Sequence, residues 1–376
     1  MFSVRLIELP LPSLDRDVDA LVQWMTDTLC LVRKRGDAMA DNGRAGPVHR
    51  LLRDHLLENP SIAWDAQTLA DELALMPASL NHHLARLVES GLFGYTNEGK
   101  GWRRYYLRGG SLSHAVAFFQ QECLLTLKQR IRNLEPLWQR SGTPMAVELP
   151  EEERAPFMLQ LTDHRPLPDD TDGNLLSHWM NDFGLLGERP GKEIAHDSLS
   201  TRLFGTLLQR NLPLSLDEAV EMHGGQKARI GRILERFRAS GMVERVARTD
   251  RLNVALWTAI TTQYQRRGED WLLKKGGFER LLKESQQQSL LTKLAKGSLD
   301  VSSVATHLEG LEPRNQMLLL NLLGGRLPMG YRLAGGSYEQ VLQRVQDRLE
   351  RVLRRMARVA ELLDERLEPA SAEGNA

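Results

Sequence analysis

The stretch that decides the fold is residues 68–93, which read TLADELALMPASLNHHLARLVESGLF. Its apolar positions recur at helical spacing in two short runs. Asp65 is a suitable N-cap for the first run, and Pro77 suits the first turn of the second, where its missing N–H costs nothing. The stretch therefore predicts two short helices, 65–75 and 78–90, joined by a tight turn.

A β-hairpin is predicted immediately after these helices. Residues 93–96 and 102–107 are rich in aromatic residues, and they flank the glycine-containing turn 97–101. Helical patterns also cover 48–58 and the longer flanking segments 14–35 and 112–138. We therefore expect a mainly α fold with small β hairpins.

Residues 68–93 resemble the helix-turn-helix of the ArsR-type winged-helix DNA-binding proteins, and residues 99–107 resemble their wing. The resemblance covers about residues 14–138, and segments 14–35 and 112–138 stand where that family has its dimerisation helices. It implies that the chain binds double-stranded DNA as a homodimer. The Cys-x-Cys metal cluster of many ArsR-type proteins is missing from this sequence, so we expect neither a metal site nor a cofactor.

The chain also resembles itself at an offset of 150 residues, which predicts a second winged-helix unit at about 200–260. The matched positions include the apolar face of the second helix and the Ser-Gly that ends it. The pairs are Leu80/Ile230, Leu84/Leu234, Arg86/Arg236, Leu87/Phe237, Ser90/Ser240, Gly91/Gly241 and Leu92/Met242.

In each predicted winged-helix unit, the candidate DNA-contacting residues lie on the polar face of the second helix of the pair and in the hairpin that follows that helix. An α-helix in the major groove reads bases only with side chains that face away from its own core. The set is Ser79, Asn81, His82, Arg86, Lys100, Arg103, Arg104, Lys227, Arg229, Arg232, Arg236, Arg248 and Arg251. Two alternatives stay open: exposed arginines often form only a solvated face, and winged helices also bind proteins. His83 points nearer the core, which favours packing.

Charge is balanced overall but unevenly distributed. Lys plus Arg and Asp plus Glu both number 49. Residues 78–108 carry five basic and two acidic side chains (5 − 2 = +3), and residues 225–251 carry eight and three (8 − 3 = +5). Residues 148–188 carry two basic and ten acidic ones (2 − 10 = −8). Two basic segments separated by an acidic one are compatible with local DNA-binding surfaces.

A heptad pattern covers residues 337–367, with steps of 4 and 3 that begin at Tyr338. It predicts a long coiled-coil-like helix that forms a homodimer or binds a protein partner; packing within the chain, against 112–138 or 280–295, is the alternative. The predicted dimerisation residues are Leu342, Val345, Leu349, Val352, Met356, Val359 and Leu363.

These patterns predict tandem winged-helix domains in a chain of six parts. The parts are an N-terminal winged-helix domain (1–138), an acidic, partly structured linker (139–199), a second winged-helix domain (200–262), a helical region (263–336), the heptad helix (337–368) and a disordered tail (369–376). Within the linker, strands are expected at Met145–Leu149 and Phe157–Leu161. The sequence has no signal peptide, no apolar run long enough to span a membrane, and only two cysteines. We therefore expect a cytoplasmic, nucleoid-associated protein without a membrane partner.

No catalytic motif stands out, so we expect a non-enzyme. The first functional hypothesis is a dimeric transcription regulator that uses both winged helices on double-stranded DNA. A winged-helix subunit of an SMC-kleisin-like complex for chromosome or plasmid handling is the main alternative. A plasmid replication initiator is another, because such proteins also carry paired winged helices.

Overall fold

The computed structural model describes residues 2–13, 17–32, 46–97, 103–139, 156–163, 174–187 and 194–367, and it is mainly helical with small antiparallel sheets. The first half contains β1 (Phe2–Ile7), α1 (Val18–Thr28), α2 (Pro47–Arg50, continued by a π-helical stretch Leu51–Leu57), β2 (Trp64–Asp65), α3 (Ala66–Leu73), α4 (Pro77–Glu89), β3 (Phe93–Thr96), β4 (Arg104–Leu107) and α5 (Leu112–Arg132).

The second half begins with β5 (Met158–Asp163), α6 (Leu175–Asp182), α7 (Leu199–Gln209), α8 (Leu216–His223), α9 (Lys227–Ala239) and β6 (Val243–Ala247). Six helices follow: α10 (Leu252–Arg267), α11 (Glu269–Lys274), α12 (Phe278–Leu281), α13 (Glu284–Ala295), α14 (Val301–Leu308) and α15 (Pro313–Leu322). The last described elements are β7 (Met329–Leu333) and α16 (Tyr338–Leu367).

The predicted hairpin of the first half is present. Strands β3 and β4 pair antiparallel from Phe93↔Leu107 to Thr96↔Arg104. Strand β2 joins the other edge of β4, which gives the sheet order β2-β4-β3. We call α2 to β4 the first unit.

The second half repeats the helix pair at the predicted offset. Helix α8 begins and ends 150 residues after α3 (216 − 66 and 223 − 73), and α9 does so after α4 (227 − 77 and 239 − 89). Gly91 and Gly241 follow α4 and α9 with φ angles of 80° and 81°. That left-handed conformation strains any residue with a Cβ, so both helices turn into their strands in the same way.

The paired segments of the second half follow the same spatial order as the sheet of the first unit, but the predicted hairpin does not join them. β6 pairs antiparallel with the distant strand β7, and Leu214 forms a bridge to Tyr331 on the other edge of β7. Residues 248–328 stand where the first unit has only residues 97–103 between its two strands, and their helices α10–α15 have an apolar core of their own. We call α7 to β6 plus β7 the second unit and 248–328 the insert. The predicted boundary at residue 262 falls inside α10 and is therefore corrected.

The region predicted to be a linker holds part of the repeat instead. Of the two strands expected there, Phe157–Leu161 overlaps β5, while Met145–Leu149 lies outside the described residues. Helix α6 ends as α1 does: the Leu185 N–H donates to the Met180 carbonyl (2.8 Å), as the Leu31 N–H donates to the Thr26 carbonyl (2.9 Å).

Equivalent elements of the two halves pair with each other. β1 and β5 are antiparallel, from Phe2↔Asp163 to Ile7↔Met158. α5 and α16 also run antiparallel, because Leu112 N–H donates to Asp364 while the Gln120 side chain donates to the Leu353 carbonyl. One apolar core runs through both halves. Antiparallel pairing of like elements is the arrangement that a two-fold axis generates.

This packing corrects the expectation of an intermolecular heptad seam. Val345, Leu349, Val352, Met356, Val359 and Leu363 are all buried within the single chain, and Leu342 packs partly buried against the same core. Helix α16 packs mainly against α5, which is one of the alternatives left open above. The apolar seam of α16 is thus covered by other elements of the same chain.

Candidate nucleic-acid interface

Helix α4 shows one polar face to solvent. Asp65 caps α3 by accepting hydrogen bonds from the Gln67 and Thr68 N–H groups (2.8 and 3.3 Å). Ala74, in the left-handed conformation with φ of 53°, ends α3, and Pro77 begins α4. Three leucines of α4 are buried, and the candidates Ser79, Asn81 and His82 are exposed.

Helix α9, like α4, follows a short capped helix, but its exposed face is cationic. Ser215 and Glu218 form a capping box at the start of α8. Ile230, Leu234 and Phe237 are buried, as predicted for the apolar face of this helix. Arg229 and Arg232 are exposed, and their side chains have no ion pair or hydrogen bond with any described residue.

Lys227, at the start of α9, is also exposed, but it is paired. Its ammonium nitrogen lies 2.5 Å from the Asp217 carboxylate, and both side chains are mostly in solvent. An exposed ion pair of this kind contributes only about 0–1 kcal/mol. Lys227 can therefore exchange Asp217 for a phosphate at little cost.

Arg86 and Arg236 were predicted to face DNA, and the structure corrects both. Arg86 is half-buried, and its guanidinium donates to the carbonyls of Leu31 (2.6 Å) and Cys30 (2.5 Å). Arg236 is likewise half-buried and donates to the Leu185 carbonyl (3.2 Å). Arg86 thus connects α4 to the end of α1, and Arg236 connects α9 to the end of α6. The sequence repeat that kept them reflects this structural role.

The first hairpin presents two of its three basic candidates. Arg103 and Arg104 are exposed, and the Arg103 guanidinium lies 4.7 Å from the centre of the Tyr95 ring. Stacking on an aromatic ring fixes the guanidinium while leaving its edge N–H groups in solvent. Lys100 lies outside the described residues.

Arg248, expected in the second hairpin, is buried, with 2% of its surface exposed. Its guanidinium donates to Glu218 (2.7 Å) and to both oxygens of Asp250 (2.7–3.1 Å). Arg251 is half exposed and lies 3.5 Å from Glu218. Arg248 is thus a structural residue at the root of the insert, which corrects its assignment as a phosphate contact.

The charges of Glu218, Arg248 and Asp250 stabilise one another. Burial alone would raise the pKa of Glu218, but the Ser215 N–H and the Arg248 guanidinium outweigh it and lower that pKa to about 2. The hydrogen bond to Asp250, opposed by burial and helped by Glu218, raises the pKa of Arg248 above its ordinary value. Both groups are therefore ionised at neutral pH.

His83 lies on the inner side of α4 and is half-buried. Burial, followed by the neighbouring charges of His82 and Arg86, lowers its pKa below the ordinary value. His83 is therefore neutral at pH 7. This placement agrees with the packing role expected for His83.

The structure also bears on metals, thiols and membranes. Among the described residues, no group of three His, Cys, Asp or Glu side chains is placed to hold a metal ion. Cys123 is fully buried, and burial raises the pKa of its thiol well above the ordinary value. Within the described ranges, every helix is too short or too polar to cross a bilayer.

Known proteins give no independent guide. No family model matches this chain, and neither the curated proteins nor the solved structures gave a significant match.

Proposed function

We propose that this chain binds double-stranded DNA through the exposed faces of α4 and α9, each belonging to a winged-helix unit of ArsR-like type. In each unit a short capped helix is followed by a second helix and an antiparallel strand pair, the order in which winged helices present a recognition helix. The observation that carries the proposal is the pair of exposed arginines on α9, Arg229 and Arg232, which have no partner among the described residues.

The two halves of the chain supply the symmetry that a homodimer normally supplies. In dimeric helix-turn-helix proteins a two-fold axis relates two recognition helices, and the DNA site is palindromic for the same reason. Here β1 pairs with β5 and α5 with α16 inside one chain. We therefore propose that a single copy places two recognition helices on one duplex.

The two half-sites of such a DNA target should differ. The exposed face of α4 offers hydroxyl, amide and imidazole groups, whereas that of α9 offers two guanidinium groups. Arginine binds guanine through two hydrogen bonds or neutralises a phosphate, and asparagine favours adenine. We therefore expect a two-part site in which one half is held mainly by charge and the other by polar base contacts. A transcription regulator is the activity that suits such a site best.

The test compares two double variants in equilibrium DNA binding at several salt concentrations. R229A/R232A should weaken binding and reduce the slope of log K against log salt by roughly 1–2. R280A/R314A removes two exposed arginines of the insert that also lack described partners, and should change neither affinity nor slope. Equal effects of the two variants would remove α9 from the DNA interface.

Binding to a protein partner, as in SMC-kleisin assemblies, is the second candidate function. Its support is that Phe118 and Leu125, two turns apart on one face of α5, are 49% and 63% exposed. Large apolar side chains in solvent are typical of protein-binding surfaces when they cluster. If neither double variant alters DNA affinity, substitution of Phe118 and Leu125 becomes the next experiment.

A further inference from the structure

A cleft of about 570 Å³ lies between the second unit and the insert. Its lining includes the apolar residues Val254, Ala255 and Leu323, which we call the apolar floor. The lining also includes Arg251, Arg266 and Arg326. Small-molecule sites in proteins have volumes of roughly 300–1,000 Å³ and combine an apolar lining with a few placed polar groups. The cleft has the size and the composition of such a site.

The electrostatics of the cleft favour an anion. The buried Arg248 is balanced by Glu218 and Asp250, which also lie near Arg251. Arg266 and Arg326 are exposed, and neither side chain has an ion pair or hydrogen bond with a described residue. The four arginines and two carboxylates leave a local charge of 4 − 2 = +2.

One buried polar atom in the wall of the cleft lacks a partner. The Gln263 amide nitrogen donates to the Leu323 carbonyl (2.9 Å), which fixes the loop before Gly324. The amide oxygen Oε1 is buried and accepts no hydrogen bond from the described residues. Because Oε1 has almost no accessible surface, an occupant of the cleft cannot reach it, and Gln263 serves to position the loop that forms the wall.

We propose that the cleft binds a phosphorylated small molecule with a partly apolar body, of the nucleoside diphosphate class. The phosphates would lie at Arg266 and Arg326, and the base would cover the apolar floor. Ser215 and Glu218, in the first turn of α8, also line the cleft. The occupant would thus contact the insert and the helix that precedes α9. This proposal does not depend on DNA binding.

The test is isothermal titration of the full chain with ADP, pyrophosphate and adenosine. ADP should bind more tightly than either fragment, because only ADP engages both the arginines and the apolar floor. R266A/R326A should weaken ADP binding by about tenfold or more, since each lost charge-assisted hydrogen bond contributes on that scale. R280A/R314A, which changes two exposed arginines of the insert outside the cleft, should leave ADP affinity unchanged.

Several outcomes would overturn the proposal. One is ADP affinity weaker than about 1 mM for the unmodified chain. Equal loss in the two double variants would also reject the cleft, and pyrophosphate that binds as tightly as ADP would reject the role of the apolar floor. The same arginines could instead meet a DNA backbone phosphate. Loss of duplex binding in R266A/R326A, with no nucleotide binding by the parent chain, would assign them to DNA and refute the nucleotide site.

Discussion

Asp364 accepts a hydrogen bond of 3.0 Å from the backbone N–H of Leu112, so the last turn of α16 caps the first turn of α5. The same carboxylate accepts a second bond from the Ser113 N–H (2.8 Å). A carboxylate at a helix N-terminus satisfies N–H groups that have no partner inside the helix and complements the helix dipole. The two hydrogen bonds therefore connect the two halves of the chain.

Replacement of Asp364 by alanine should destabilise the chain by about 1 kcal/mol, the typical loss when an N-capping carboxylate is removed. Urea unfolding at neutral pH measures the change. Glu365→Ala is the matched control, because Glu365 is exposed in the same turn and has no described partner. An equal effect of both substitutions would show that the interhelical bond adds nothing.

Arg86→Ala should lower stability far more than it lowers DNA affinity. The substitution leaves the carbonyls of Cys30 and Leu31 without their donors, which costs about 1–3 kcal/mol for partly buried groups. Arg103→Ala, in the exposed hairpin, should instead cost less than about 0.5 kcal/mol and weaken DNA binding. Thermal melting and DNA titration of both variants separate the two roles. A stable R86A protein with lost DNA binding would restore Arg86 to the interface.

The stability contributed by Glu218 should depend on pH. Because its pKa in the folded chain is about 2, against an ordinary 4.5, the contribution is complete above pH 4.5 and disappears as pH falls towards 2. Glu218→Gln should therefore be less stable than the parent at pH 7, by on the order of 2 kcal/mol, with the difference shrinking in acid. Urea unfolding as a function of pH measures this trend.

Asp217→Asn is the control for that experiment. Asp217 precedes Glu218 in the chain, but its side chain is 82% exposed and, within the described part of the chain, pairs only with the exposed Lys227. Its substitution should shift stability little at any pH. A difference between Glu218→Gln and the parent that stays constant down to acid pH would contradict the charge network around Arg248.

Local patterns in the sequence predicted the parts of this fold that local chemistry determines. The sequence predicts the Ser-Gly that ends α4 and α9 and the apolar spacing of both helices. Both features depend only on neighbours a few residues away. The exposure of Arg229 and Arg232 followed from the same apolar spacing, which places them on the opposite face of α9. Arg236 did not, because its carbonyl partner at Leu185 is 51 residues distant.

Long-range pairing explains the rest of what the sequence missed. Strand β7 joins β6 across the whole insert, and nothing near Val243 signals a partner beginning at Met329. A heptad pattern likewise predicts an apolar partner helix without saying which one. The partner is α5 of the same chain, a choice fixed by tertiary packing.

One consequence is that the free chain should be monomeric. The seam residues Val345, Leu349 and Val352 are already buried, so no apolar stripe of α16 remains for a second copy. Sedimentation equilibrium should give the mass of one chain, 42.6 kDa. A stable dimer would mean that another surface, such as the one around Leu125, forms an interface.

One copy of the chain should present two recognition helices to one duplex. Native mass spectrometry of the complex with a duplex selected from a random library tests it most directly. We predict one 42.6-kDa chain per duplex, protecting two unlike half-sites. Two chains per duplex, a single protected half-site, or no retained duplex would contradict the account.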